Sequence, residues 1–230
     1  ILVSAAAAYT ITLPTAVGNT GLTYHFIKTD ANYNLITLDG DGTETLNYEN
    51  STGAPTLTYA RLNTYCAEAT VVSNGANWQV MNEKLGQVPE CSAYLGAIQS
   101  NITNAAWVLI TVDTENYDIG NNFNTGTYKF VAPIPGKYSF KVNAMWDGAS
   151  VIATKGYAVA GFKNDAIIMD LYAYVHSSLA NDIIIQSAGI ISLVATDYLT
   201  MKVYHAAGAN TPDIQALGIT SLQVRLVSKD

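Results

Sequence analysis

Few side chains in this 230-residue chain are spaced for chemistry. Asp39-Gly40-Asp41-Gly42-Thr43-Glu44 offers three carboxylates to a calcium ion, but it lacks the loop spacing and the closing bidentate Glu of an EF-hand and reads as an acidic hairpin turn. A second cluster, Asp113, Glu115 and Asp118, follows no ligand motif, so calcium is conceivable but unsupported and no metal or cofactor is assigned. His25, His176 and His205 lie among strand or loop residues with no Gly-x-Ser-x-Gly elbow near them, and no pair of carboxylates stands out for glycoside cleavage. Cys66 and Cys91 are too few for a disulfide framework and read as free thiols; with no adjacent pair of histidines they do not suggest zinc. The expectation is a protein that is not an enzyme.

The elements that would position such residues are strands. Period-two alternation punctuated by turn residues runs through the chain, and no segment sustains a helical repeat. The clearest case is Lys137 to Trp146, where Tyr138, Phe140, Val142, Ala144 and Trp146 alternate with Ser139, Lys141 and Asn143. Leu199, Met201 and Val203, and then Leu222, Val224 and Leu226, repeat the pattern and should share its core. Before residue 83 the strands are shorter: Tyr9 to Leu13, Tyr24 to Lys28, Leu35 to Leu38, Thr56 to Tyr59 and Thr70 to Ser73, separated by Gly-Asn, Asp-Gly and Asn-Gly turns. The polar stretch between the two textures places a β-rich stem or shoulder over residues 1–85, a linker over 86–92 and a second domain over 93–230. Trp78 is expected to cap the first core, and Trp107 and Trp146 the second.

Composition narrows the class. Charged residues are 13% of the chain and hydrophobic ones 49%, which marks an ordered, core-forming protein rather than a disordered one. A net charge of −7 with only 11 Lys and Arg gives phosphate backbones no footprint, so nucleic acid is not expected as a partner. No apolar run is long enough for a helical membrane span. Ile1 to Ala8 lacks an initiator Met and a basic leader and reads as a truncation point, with an N-terminal region missing.

The segment Phe123-Asn124-Thr125-Gly126-Thr127-Tyr128-Lys129-Phe130-Val131-Ala132-Pro133-Ile134-Pro135-Gly136-Lys137-Tyr138-Ser139-Phe140 resembles the signature of the complement-q-like heads of the tumour necrosis factor superfamily. Ala105 to Ile110 with Tyr117-Asp118, the Lys163-Asn164-Asp165 turn, Ser192 to Val203 and Ile219 to Leu226 extend the likeness over about residues 93 to 228. The resemblance implies an all-β fold with a trimeric jelly-roll head. Some members hold calcium near the trimer apex, but the acidic residues around Asp113 carry no ligand motif for it. The form here is closer to versions found in phage proteins. More weakly, Ile11 to Pro14, Asn19 to Gly21 and Val71 to Trp78 are similar to a β unit of phage tail fibres and spikes.

Together these imply a homotrimeric spike or tail-fibre protein on the virion exterior that presents its head to a host-surface protein or glycan. Other virion proteins would be met through the missing N-terminal region. A purely structural vertex or tail component and a secreted complement-q-like recognition protein are the alternatives, and a capsule depolymerase ranks last. Contact residues would come from Tyr172, Tyr174 and His176, spaced to share a strand face, and from the Gly-, Ala- and Asn-rich loops Trp146 to Ser150, Ser177 to Asp182 and Ala206 to Asp213, with Asn181 and Asn210 the polar candidates. For the tyrosine stretch, packing against a neighbouring subunit is the first reading and receptor contact the second.

Overall fold

A computed structural model describes residues 1–48, 59–174 and 181–229. Every regular element among them is a strand, and no helix is long and apolar enough to cross a membrane. The chain divides into two compact units, Ile1–Val88 and Pro89–Asp230.

The first unit holds β1 (Leu2–Val3), β2 (Tyr9–Thr12), β3 (Thr23–Lys28), β4 (Ile36–Asp39), β5 (Leu46–Tyr48), β6 (Tyr59–Leu62), β7 (Glu68–Ser73) and β8 (Trp78–Lys84). One sheet runs β1-β3-β7-β8-β5 and the other β2-β4-β6. Phe26, Val71, Trp78 and Val80 of the first sheet share one buried cluster with Ile36, Leu38 and Leu62 of the second, which is where the alternating side chains of both must go. The expected strands are present apart from residues 56–58, which lie outside the described residues. Asn74 and Gly75 turn β7 into β8: the Asn74 carboxamide accepts the Ala76 and Asn77 amides at 3.0 and 2.8 Å while Gly75 sits at a φ of 91°. Among the described residues three pairings are parallel, β1 with β3, β2 with β4 and β5 with β8.

The second unit holds β9 (Glu90–Tyr94), β10 (Val108–Leu109), β11 (Thr114–Ile119), β12 (Phe123–Asn124), β13 (Lys129–Val131), β14 (Gly136–Trp146), β15 (Gly156–Lys163), β16 (Ala166–Tyr174), β17 (Ile183–Leu193), β18 (Tyr198–His205) and β19 (Ser221–Lys229). Two antiparallel sheets, β11-β9-β19-β14-β17 and β12-β13-β18-β15-β16, form a jelly roll, with β10 added alongside β18. The expected alternation of β14, β18 and β19 is present: Tyr138, Phe140, Val142 and Trp146 meet Leu199, Met201, Val203, Leu222, Val224 and Leu226 in a core that excludes solvent.

Two expectations are corrected. The linker over 86–92 ends earlier, because Glu90, Cys91 and Ser92 already belong to β9 and pair with both β11 and β19. Cys91 alternates inward and is fully buried, as a strand residue with a small apolar side chain should be. Trp107, expected in the core, lies instead over the outer face of its sheet. Its ring meets Phe162 at 5.4 Å and Tyr204 at 5.5 Å, and both are on the side of β15 and β18 away from Val159 and Val203.

Candidate functional site

Strand β14 ends at Trp146, β17 starts opposite it at Ile183, and β18 ends at His205 opposite Tyr157 of β15. The segments following β14 and β18, and Asn181 and Asp182 just before β17, therefore emerge at one end of the jelly roll; they belong to the three loops read as recognition loops, of which residues 177–180 lie outside the described residues. They are knitted together there. Asp147 N–H donates to the Asp213 carbonyl at 3.0 Å, Gly148 N–H to Asp182 Oδ1 at 2.9 Å, and Asp213 N–H to Ser150 Oγ at 3.1 Å. Gly148 is required by this packing, since a Cβ there would lie 2.1 Å from the Asn181 carbonyl.

A fourth loop, between β9 and β10, joins them. Gln99 and Ile214 exchange backbone bonds at 3.1 and 3.0 Å, Asn101 N–H reaches Asp213 Oδ1 at 2.8 Å, and Gly208 N–H reaches Asn104 Oδ1 at 2.9 Å. Beneath the loops lies a buried floor of three rings. Trp146 packs edge-on against Tyr157 at 5.0 Å, and His205 stacks on Tyr157 at 6.1 Å. Burial pushes the Tyr157 phenol up, and its oxygen accepts the Ile152 amide at 2.7 Å.

Of the residues named from sequence, Asn181 and Asn210 come to this end. Asn181 is exposed, whereas Asn210 is half-buried and its amide is spent on the Ser150 carbonyl. Tyr172 and Tyr174 lie on β16 in register with Ala158 and Gly156, and His176 is outside the described residues.

The acidic clusters act as backbone anchors. Glu44 accepts the Thr15 hydroxyl at 2.7 Å and the Ala16 amide at 2.8 Å, bonds that hold its carboxyl below the usual range. Asp113 accepts the Gly96 amide and Asp118 the Phe123 amide, each at 2.8 Å. Among the described residues no three His, Cys, Asp or Glu side chains are grouped to hold a metal, and both cysteines are free thiols.

The outer face of the β11-β9-β19-β14-β17 sheet is the other surface of note. Lys137, Ser139 and Lys141 of β14 are in register with Ser192, Ile190 and Ala188 of β17, and Ile184 and Ile190 are 55% and 65% exposed. Beside them a recess of about 320 Å³ is lined by Glu90, Tyr117, Ser139, Lys141, Gln223 and Arg225. The hydrogen bond from Tyr117 to Glu90, 2.7 Å long, pushes that phenol up to about 12.

No family model and no curated protein matches the sequence. Solved structures do. The globular domain of zebrafish complement 1qA, at 14% identity and a TM-score of 0.46, covers 62% of this chain and 99% of its own. Murine APRIL at pH 5.0, at 15% identity and a TM-score of 0.44, covers 61% and 99%. Eiger TNF from S. frugiperda, at 11% identity and a TM-score of 0.44, covers 62% and 93%.

Sequence reasoning missed the floor under the loops. Its signal was present: His205 continues the inward series Leu199, Met201, Val203 at the same spacing of two.

Proposed function

We propose that this chain is a homotrimeric attachment protein of a virion, most simply a spike or tail fibre, whose second unit presents its gathered loop end to a host-surface protein or glycan. The observation that carries the reading is the convergence of four loops, distant in sequence, on one end of a rigid sandwich. Irregular backbone cross-braced this heavily is preorganised, and preorganised loops on a rigid scaffold are how such folds present contacts. The exposed Ile184 and Ile190 and the neighbouring recess suit burial against further copies, and three copies would multiply a weak contact by avidity.

The test is adsorption. Removing the second unit, residues 89–230, should abolish attachment of the particle to its host, and the purified full chain should compete for the same surface. Normal adsorption combined with a defect in particle assembly would refute attachment in favour of a purely structural role.

A further inference from the structure

His205 is buried to 0% exposure, between Trp146 at 5.9 Å and Tyr157 at 6.1 Å. Its two ring nitrogens have opposite roles. Nδ1 accepts the Ala207 amide at 3.2 Å, so the ring proton is on Nε2, which donates to the Ile102 carbonyl at 2.8 Å. The His205 carbonyl also accepts the Ala105 amide at 2.9 Å. One residue thus ties two of the four loops, around 102–105 and 206–208, to the ring floor.

A doubly protonated imidazole has a hydrogen on both nitrogens. Nδ1–H would then confront Ala207 N–H, two donors head to head, and the charge would be enclosed with no counter-ion among the described residues. The surrounding ionisable groups are committed elsewhere. From β14, beyond the Trp146 indole, Asp147 Oδ1 accepts the Ala149 amide. From β15 there is the Tyr157 phenol, held by Ile152, with Lys155 just before the strand. The loop from Ile98 to Trp107 contains no ionisable side chain, and the loop after β18 contributes Asp213, engaged with Asn101. Asp182, before β17, is engaged with Gly148. Among the described residues none forms an ion pair with the His205 ring.

We propose that His205 is a proton-operated latch on the loop end: neutral, it clamps the 102–105 and 206–208 segments; protonated, it releases them and alters the presented surface. Its role in attachment rests on the function proposed above, but the latch itself does not. Acid favours whichever state accepts the second proton, so the released form gains by up to about tenfold for each pH unit below the ordinary imidazole value of about 6.5.

Amide exchange of the full chain, compared at neutral pH and about pH 5.5 and corrected for the intrinsic pH dependence of exchange, reads the latch. Protection at Ala105, Ala207 and Gly208 should fall by roughly tenfold or more, with β14 unchanged. His205→Gln keeps a donor for Ile102 and does not titrate, so its loop protection should be the same at both pH values. Ring nitrogen resonances of the unsubstituted chain give a second reading should that variant fold poorly: the second proton should arrive in step with loop release.

Constant loop protection overturns the latch. So does release in His205→Gln matching the unsubstituted chain, which would move the response to Asp147, Asp182 or Asp213. Release while the ring stays neutral has the same consequence. His205-linked release without surface binding at any pH would leave the latch standing and defeat the attachment reading.

Discussion

Individual polar side chains in this protein mostly hold backbone in place. Lys28 is wholly enclosed, and its ammonium pairs with Asp30 while also donating to Asn32 Oδ1 at 3.3 Å. The second Asp30 oxygen accepts the Ala5 amide at 2.8 Å, and Asn32 donates to the Ala5 carbonyl at 2.7 Å, so this short turn fixes the start of the chain. Burial raises the Asp30 carboxyl, but the Lys28 and Ala5 hydrogen bonds outweigh it and leave the group below its usual range. A carboxyl depressed by folding stabilises above its ordinary value of about 3.9 and loses that contribution as pH falls through the lowered value. Asp197 follows the same sign: burial raises it, and bonds from Lys163, Val194 and Asn164 prevail. Acid unfolding should therefore shift toward neutral pH in Asp30→Ala. At neutral pH the same variant should lose about 3–5 kcal/mol of stability by denaturant titration, because it leaves the Lys28 charge buried and unpaired. Lys28→Met with Asp30→Ala removes both charges and should recover much of that loss.

At the scale of elements, β14 organises the second unit, pairing with β17 along its whole length and with β19 over most of it. Phe140→Ala should cost about 3–5 kcal/mol through the cavity left in the core. Gly136→Ala should cost about 1–3 kcal/mol for the opposite reason: a Cβ there would stand 2.4 Å from the Ser228 carbonyl and 2.7 Å from Leu226 Cδ1. Thermal unfolding of the two variants checks both. These strands were legible in the sequence because each has one wet face and enough length to show a period. Strand β15 was not: its residues from Gly156 to Phe162 are all buried, since the Ala158 and Ala160 side is covered as well, and alternation vanishes when neither face is wet. Strands β1 and β5, two and three residues long, are too short to carry a period and exist through parallel partners remote in sequence. The loop end was half legible. Gly-, Ala- and Asn-rich composition marked the loops, but hydrogen bonds such as Asn101 to Asp213 join residues 112 positions apart and leave no local trace.

For the whole molecule, the low charge content leaves much of the surface to Asn, Thr, Ser, Gly and Tyr, and the face proposed for contact with further copies is the outer side of the β11-β9-β19-β14-β17 sheet. Contact through it is heterologous if the same face meets a different surface of the next copy, and such contacts close into a ring when the rotation allows. Attachment by avidity depends on that closure, so oligomeric mass bears most directly on the account. Light scattering on the purified chain should give three times the 24.6 kDa of one copy, and Ile190→Asp, which places a charge on the 65%-exposed position of the face, should reduce it to one. A monomer from the unsubstituted chain, or a trimer indifferent to Ile190→Asp and to a matching change at Ile184, would contradict it.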